Sequence, residues 1–210
     1  IGVTRMLDEI KKFNKKIKFY QASSSELYGS QNDKIQNELT NFKPSSPYAI
    51  SKLYGFWMTN MYRKSYDMYT VNGILFNHES PLRGLEFVTR KISNGIAKIS
   101  LGLTKNLNLG NMDAKRDWGY APEFVEGMWL MLQQKTPDDY VLSTNRFYSV
   151  REFVEKAFGL KGLKIKWEGS GVNEVGIDEN TGKTLVKIPF SEAVSACKYN
   201  PPPPSLAVLS

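Results

Sequence analysis

Cysteine is nearly absent: Cys197 stands alone among 210 residues. A single thiol excludes an intrachain disulfide framework and fits a reducing compartment. Histidine is as scarce, with His78 alone, and no Cys/His cluster has the spacing of a zinc site. No apolar run approaches the roughly 20 residues needed to span a bilayer. No basic-apolar-cleavage pattern opens the sequence, so no secretory signal is expected and a cytoplasmic location is. Clustered glycine is missing too. A doubly wound nucleotide domain normally opens with a strand, a glycine-rich turn and a helix, and the turn cradles a pyrophosphate. Here Gly102 and Gly110 are isolated. Either the fold is of another kind, or the first ~80 to 100 residues of such a domain, about two and a half βα units, are lost. The abrupt helical start favours loss.

What remains is ordinary soluble material, 41% hydrophobic and 23% charged. The length suits one large domain or one and a half typical ones. The net charge of +7 invites a nucleic-acid reading. Its lysines, however, are dispersed over Lys11, Lys12, Lys15, Lys16 and Lys18, then Lys91, Lys98, Lys105 and Lys115. That pattern reads as a solvated basic face, and an anionic nucleotide needs only a few of these charges. Steeply salt-dependent DNA binding would revive the nucleic-acid reading.

Periodicity predicts a helix over 3–16, where Met6, Leu7, Ile10 and Phe13 keep helical spacing. A strand is predicted over 17–22, a loop over 27–46 and a helix over 47–66. That helix starts with an N-cap hydroxyl, Ser46, and a first-turn proline, Pro47. Strands follow at 69–76, 106–109, 140–143 and 163–167. Helices follow at 87–100, 122–134 and 149–158, the first closed by Gly102 and the last capped by Ser149. Strands alternating with helices predict an α/β fold built on a doubly wound parallel sheet. The tail, with Pro201 to Pro204 in succession, reads as polyproline II or disorder.

Two segments carry chemistry. Ser24 and Glu26 lie two apart at a predicted strand end, so their side chains share a face if strand geometry persists. A carboxylate beyond the carboxyl end of a parallel strand is placed for acid–base work, and a cap for backbone donors is the bland alternative. Tyr48 and Lys52, four apart, share a helix face. An ammonium and the helix N-terminus both favour a phenolate there, which lets a tyrosine act as a base near neutral pH. A solvated lysine beside a half-buried tyrosine is the alternative. Together the two segments point to sugar chemistry on a nicotinamide cofactor. His78 follows another strand on the same predicted sheet edge, and the bland reading of a lone histidine is a packed residue. Arg83 and Arg90 nearby suit phosphate. Lys115 and Arg116 suit a diphosphate, unless Arg116 and Asp117 form a weak surface ion pair.

These residues sit in longer stretches with a shared resemblance. They are 19–29 (Phe-Tyr-Gln-Ala-Ser-Ser-Ser-Glu-Leu-Tyr-Gly), Ser46-Pro47-Tyr48, 71–81 around His78, 87–92, 109–119, 149–154 and 167–169. The chain resembles the GDP-mannose 4,6-dehydratase family of extended short-chain dehydrogenases/reductases over about residues 1–188. The resemblance implies a Rossmann-like, N-terminally truncated fold with a smaller C-terminal substrate-binding portion. Residues 1–78 would belong to the NADP-binding domain and 79–188 to the GDP-sugar portion with elements returning to the first; 189–210 would be a proline-rich tail. It implies NADP retained through the cycle and GDP-mannose as substrate. Tyr48 would take the 4-hydroxyl proton while hydride leaves C4, and Lys52 would hold the nicotinamide ribose. Ser24, where the family has threonine, would bond the 4-oxygen. Glu26 would take the C5 proton and help expel the 6-hydroxyl. His78 and Arg83 match cofactor contacts; Asn77, Val88, Lys91, Leu109, Gly110 and Arg116 match contacts to GDP. A homo-oligomer is the family expectation.

The glycine-rich turn is lacking, and the family's Arg-Pro-x-Glu segment is replaced by Pro189-Phe190-Ser191-Glu192. The tail resembles a frame-shifted end. These departures lead to the expectation of a fragment with little turnover alone. The rivals are another NAD(P)-dependent sugar-nucleotide epimerase or reductase, and a non-catalytic binding module of the same fold.

Overall fold

The computed structural model describes residues 1–29 and 35–191. The expectation for the proline-rich tail therefore lies mostly outside the described residues. The elements run α1 (Gly2–Phe13), β1 (Phe19–Ser24), α2 (Pro47–Tyr66), β2 (Thr70–Leu75), β3 (Asn77–Glu79), α3 (Val88–Ser100), β4 (Leu107–Asn108), β5 (Lys115–Arg116), β6 (Trp118–Tyr120), α4 (Ala121–Met131), β7 (Asp139–Leu142), β8 (Tyr148–Ser149), α5 (Val150–Gly159), β9 (Ile165–Glu168), β10 (Val175–Asp178) and β11 (Thr184–Lys187). By internal packing they form two units: 1–78 with 117–146, and 79–116 with the chain from 147 onward.

The first unit is a parallel three-stranded sheet in the order β1-β2-β7. β2 is buried along its whole length, as expected of a strand covered on both faces. Its alternation sorts the two layers. Val71 and Leu75 pack with Phe124 and Met131 of α4. Ile74 packs with Leu27, Tyr28 and Phe56 on the α2 side. The β2 backbone comes close to β1 at Gly73, where a Cβ would meet the Tyr20 ring at 2.7 Å. α1 adds Leu7 to a cluster with Phe19, Tyr62 and Met68.

A polar network ties α2 to the sheet. Arg63 Nη2 donates to Asp139 Oδ1 at 2.5 Å, and Arg63 Nε donates to the Thr70 carbonyl at 2.7 Å. Asn60 and Asn72 each donate to the same carboxylate at 2.8 Å. Asp139 is thus held by three side chains on two elements, which fixes how far α2 can slide along β2.

The second unit contains a four-stranded sheet in the order β4-β11-β10-β9. β9, β10 and β11 are antiparallel, and only β4 joins in parallel. The strand predicted over 163–167 therefore does not extend the parallel pattern. Its neighbour is reached through the short connection 169–174, which leaves no room for a crossover helix. Helices α3 and α5 pack on each other and bury Ile92, Ile96, Val154 and Phe158. α5 opens with a reciprocal capping box: Ser149 Oγ accepts from Glu152 N–H, and Ser149 N–H donates to the Glu152 carboxylate.

Candidate active site

β1 and β2 run in parallel register with Ser24 beside Leu75, so both strands end at one edge. Ligands of parallel sheets bind beyond that edge. The strand geometry on which a shared face of Ser24 and Glu26 is conditional does not persist to Glu26. β1 stops at Ser24, and 25–28 form a single 3-10 turn. Ser24 is its N-cap: Ser24 Oγ accepts from the Glu26 N–H at 3.2 Å. Ser24 and Glu26 are therefore linked through a capped turn and not through the pleat of a strand. Leu27 and Tyr28 are fully buried beneath it, which anchors the turn. Gly29, at φ +67°, ends it where a Cβ would run into the Lys43 carbonyl.

Ser46 does two things. Its Oγ accepts from Ala49 N–H at 3.1 Å, capping α2, and its hydroxyl reaches Glu26 Oε2 at 3.4 Å. Pro47 fills the first helical position, so Tyr48 lies in the first turn. Lys52 Nζ donates to the Ala22 carbonyl at 2.9 Å and lies 5.6 Å from the Tyr48 ring centroid. Partial burial pushes the Lys52 pKa below its ordinary value. Tyr48 keeps 48% of its surface exposed, leaving its ring accessible to a ligand. Sequence reasoning missed Ser46 as a neighbour of the carboxylate. The Ser-Pro signal located the helix start but gave no hint of which loop would meet it.

Past β2, His78 Nδ1 lies 2.9 Å from the Phe76 carbonyl, and its ring stacks on Phe124 at 5.0 Å. The carbonyl requires the proton on Nδ1, which leaves Nε2 as the acceptor of the neutral ring. Asn77 precedes it on β3. The first unit thus gathers Ser24, Glu26, Tyr48 and Lys52, with Asn77 and His78 just past the end of β2.

The remaining candidates belong to the second unit. Arg83 Nε lies 3.3 Å from Glu79 Oε2, and its guanidinium covers the Phe87 ring at 3.5 Å. Thr89 Oγ1 donates to the same Glu79 oxygen at 2.5 Å. Val88 begins α3, and Lys91 lies in its first turn. α3 runs close over β4: a Cβ on Gly95 would meet Leu107 Cδ1 at 2.6 Å. Leu109 is buried, and its N–H donates to the Lys187 carbonyl at 3.0 Å. Arg116 Nη1 donates to the Lys115 carbonyl at 2.8 Å. Asp117 is not a surface residue; it is 2% exposed and accepts the Thr144 N–H and hydroxyl.

Among the described residues no cluster of His, Cys, Asp and Glu could hold a metal ion, and no helix is long and apolar enough to cross a membrane. The site chemistry is that of a hydroxyl, a carboxylate, a phenol and an ammonium.

The family model for GDP-mannose 4,6 dehydratase matches residues 1–195. A GDP-mannose 4,6 dehydratase of Drosophila melanogaster is 53% identical over 190 residues, covering 90% of this chain and 48% of the relative. A solved dTDP-glucose 4,6-dehydratase from Bacillus anthracis in complex with NAD superposes with a TM-score of 0.70 at 26% identity, covering 77% of this chain and 51% of that one. RMD from Pseudomonas aeruginosa, complexed with NADPH, superposes with a TM-score of 0.69 at 23% identity, covering 73% of this chain and 54% of that one. The chain spans about half the length of the curated relatives it matches.

Proposed function

The chain belongs to the GDP-mannose 4,6-dehydratase family, and we propose from that premise that the complete protein removes water from GDP-mannose on a bound nicotinamide cofactor. The observation that carries the reading is the Ser46 hydroxyl. It caps the helix that presents Tyr48 and also reaches Glu26 at 3.4 Å. That supports a phenol and a carboxylate from two segments working at one sheet edge, as acid–base work at adjacent sugar carbons requires.

The donor set fits a nicotinamide ribose: the Lys52 ammonium has three donors, one of which goes to Ala22. Lys52 holds the ribose, while His78 and Arg83 contact the rest of the cofactor. When bound, the cofactor supplies a hydride acceptor for C4 of the sugar and the same hydride for C6. Tyr48 accepts the proton of the 4-hydroxyl, and the Lys52 ammonium stabilises the charge on the phenol oxygen. Ser24 donates to the 4-oxygen. The 4-ketone acidifies C5–H; Glu26 removes that proton and delivers one to the departing 6-hydroxyl, which leaves as water. Asn77, Val88, Lys91, Leu109, Gly110 and Arg116 bind the GDP moiety. The family resemblance favours NADP over NAD, and solved neighbours bind each of the two.

One helix face supports the reading of a homo-oligomer. Ile50, Tyr54, Trp57 and Met61 of α2 are 58%, 46%, 55% and 37% exposed, and their spacing makes one apolar stripe. A second copy of the protein covers it. The 210 residues by themselves are expected to turn over little, and the location is cytoplasmic.

The test is conversion of GDP-mannose by the complete protein. Wild type should yield the 4-keto-6-deoxy sugar with NADP present. Glu26→Gln should lower that yield about 100-fold or more while still exchanging hydride at C4. A product epimerised at C4, or an unaffected Glu26→Gln enzyme, contradicts the reading.

A further inference from the structure

The segment from Leu109 to Arg116 carries two proposed nucleotide contacts at one end and a third at the other. Its ends are fixed by strand pairing. β4 pairs with β11, and Leu109 N–H continues that ladder to the Lys187 carbonyl. At the far end Arg116 pairs with Tyr148. Between them the loop is tied to the first turn of α5. Arg151 N–H donates to the Met112 carbonyl at 2.9 Å, and Val150 N–H to the Ala114 carbonyl at 3.1 Å. Met112 is buried at 2% exposure.

The Arg151 side chain then spans two parts of the unit. Its Nε and Nη2 both donate to Asp113 Oδ1, at 3.2 and 3.0 Å. Its Nη1 and Nη2 form a forked pair with Glu174, at 2.6 and 3.1 Å. The guanidinium lies 4.7 Å from the Trp167 ring centroid. Asp113 has 80% of its side chain exposed and Glu174 only 14%. The Glu174 pair is thus the anchor, and Asp113 is what the anchored arginine holds. A planar guanidinium can make both bonds and stack at the same time, whereas an ammonium cannot.

We propose that Arg151 is a positioning residue that sets the conformation of the 109–116 loop for the GDP moiety. It does not touch the reacting carbons; it acts through Leu109, Gly110 and Arg116. This rests on the proposed role of those three residues. Disturbing Arg151 therefore costs nucleotide affinity and leaves the chemical steps alone, which separates it from Glu26 or Tyr48.

The experiment measures binding of GDP, binding of NADPH and turnover of GDP-mannose in the complete protein and in Arg151→Lys and Asp113→Asn. Arg151→Lys is expected to weaken GDP about tenfold and raise KM for GDP-mannose similarly, with kcat within about twofold and NADPH affinity unchanged. Asp113→Asn, at an exposed position, should weaken GDP about threefold with an unchanged melting temperature. It serves as the readout where Arg151→Lys fails to fold. Wild-type affinity for GDP in either folded variant overturns the proposal, and so does a loss of kcat at constant KM. Failure of the wild-type protein to bind GDP would instead sink the family-based function itself.

Discussion

Lys52 shows how a residue legible in sequence acquires its role from a neighbour that is not. Tyr48 and Lys52 are recognisable because four residues make one helical turn. What holds Lys52 is the Ala22 carbonyl, thirty residues away in sequence. No spacing rule names a backbone partner on another element. Its burial also has a measurable sign. A lysine whose folded pKa lies below its unfolded value of about 10.4 binds fewer protons folded than unfolded in the interval between the two. Stability therefore rises with pH through that interval. Lys52→Met should flatten this slope when unfolding is followed from pH 8 to 10.5. A slope identical in the two proteins would mean that the ammonium is as well solvated folded as unfolded. Glu26 teaches the converse. Its identity as a candidate was readable, but it is linked to Ser24 through an N-capped turn that period-two counting cannot foresee.

Among elements, those with strong local punctuation were readable. α2 begins at Pro47, directly after the Ser46 cap, as the cap and proline predict, and it ends at Tyr66. α5 likewise follows Ser149. Strands β5 and β8 were not foreseen, because two residues carry no periodicity. The β10–β11 hairpin was missed although a signal was present. Asp178 accepts from Asn180 N–H and the Thr181 hydroxyl, and Gly182 adopts φ +68°. An aspartate four residues before a glycine is a turn signature, but no element was predicted between residue 167 and the tail. The lock between α2 and β7 could not be read at all, since Arg63 and Asp139 are far apart in sequence. Their side chains are 12% and 15% exposed, so removing Asp139 takes the nearest carboxylate from a buried guanidinium, which keeps the Thr70 carbonyl and Asp138 at 3.7 Å, and also takes an acceptor from Asn60 and Asn72. Asp139→Ala should lower unfolding free energy by about 3–5 kcal/mol in chemical denaturation. A loss under about 1 kcal/mol would mean that the pair behaves as a surface bridge.

At the scale of the whole molecule, the α/β class was legible because strands alternate with helices through residue 158. The antiparallel part of the second unit was not, because pairing direction is set by hairpins and not by strand composition. The exposed stripe on α2 makes a claim about assembly. Trp57→Glu should shift the complete protein toward the monomer in size-exclusion chromatography with light scattering, and an unchanged mass would remove α2 from the interface. The dehydratase mechanism itself is most directly tested by an isotope. GDP-mannose carrying deuterium at C4 should give a 4-keto-6-deoxy product with deuterium at C6 and a solvent proton at C5. Deuterium lost to solvent, or retained at C4 of an epimerised sugar, would contradict the cycle of oxidation, elimination and hydride return.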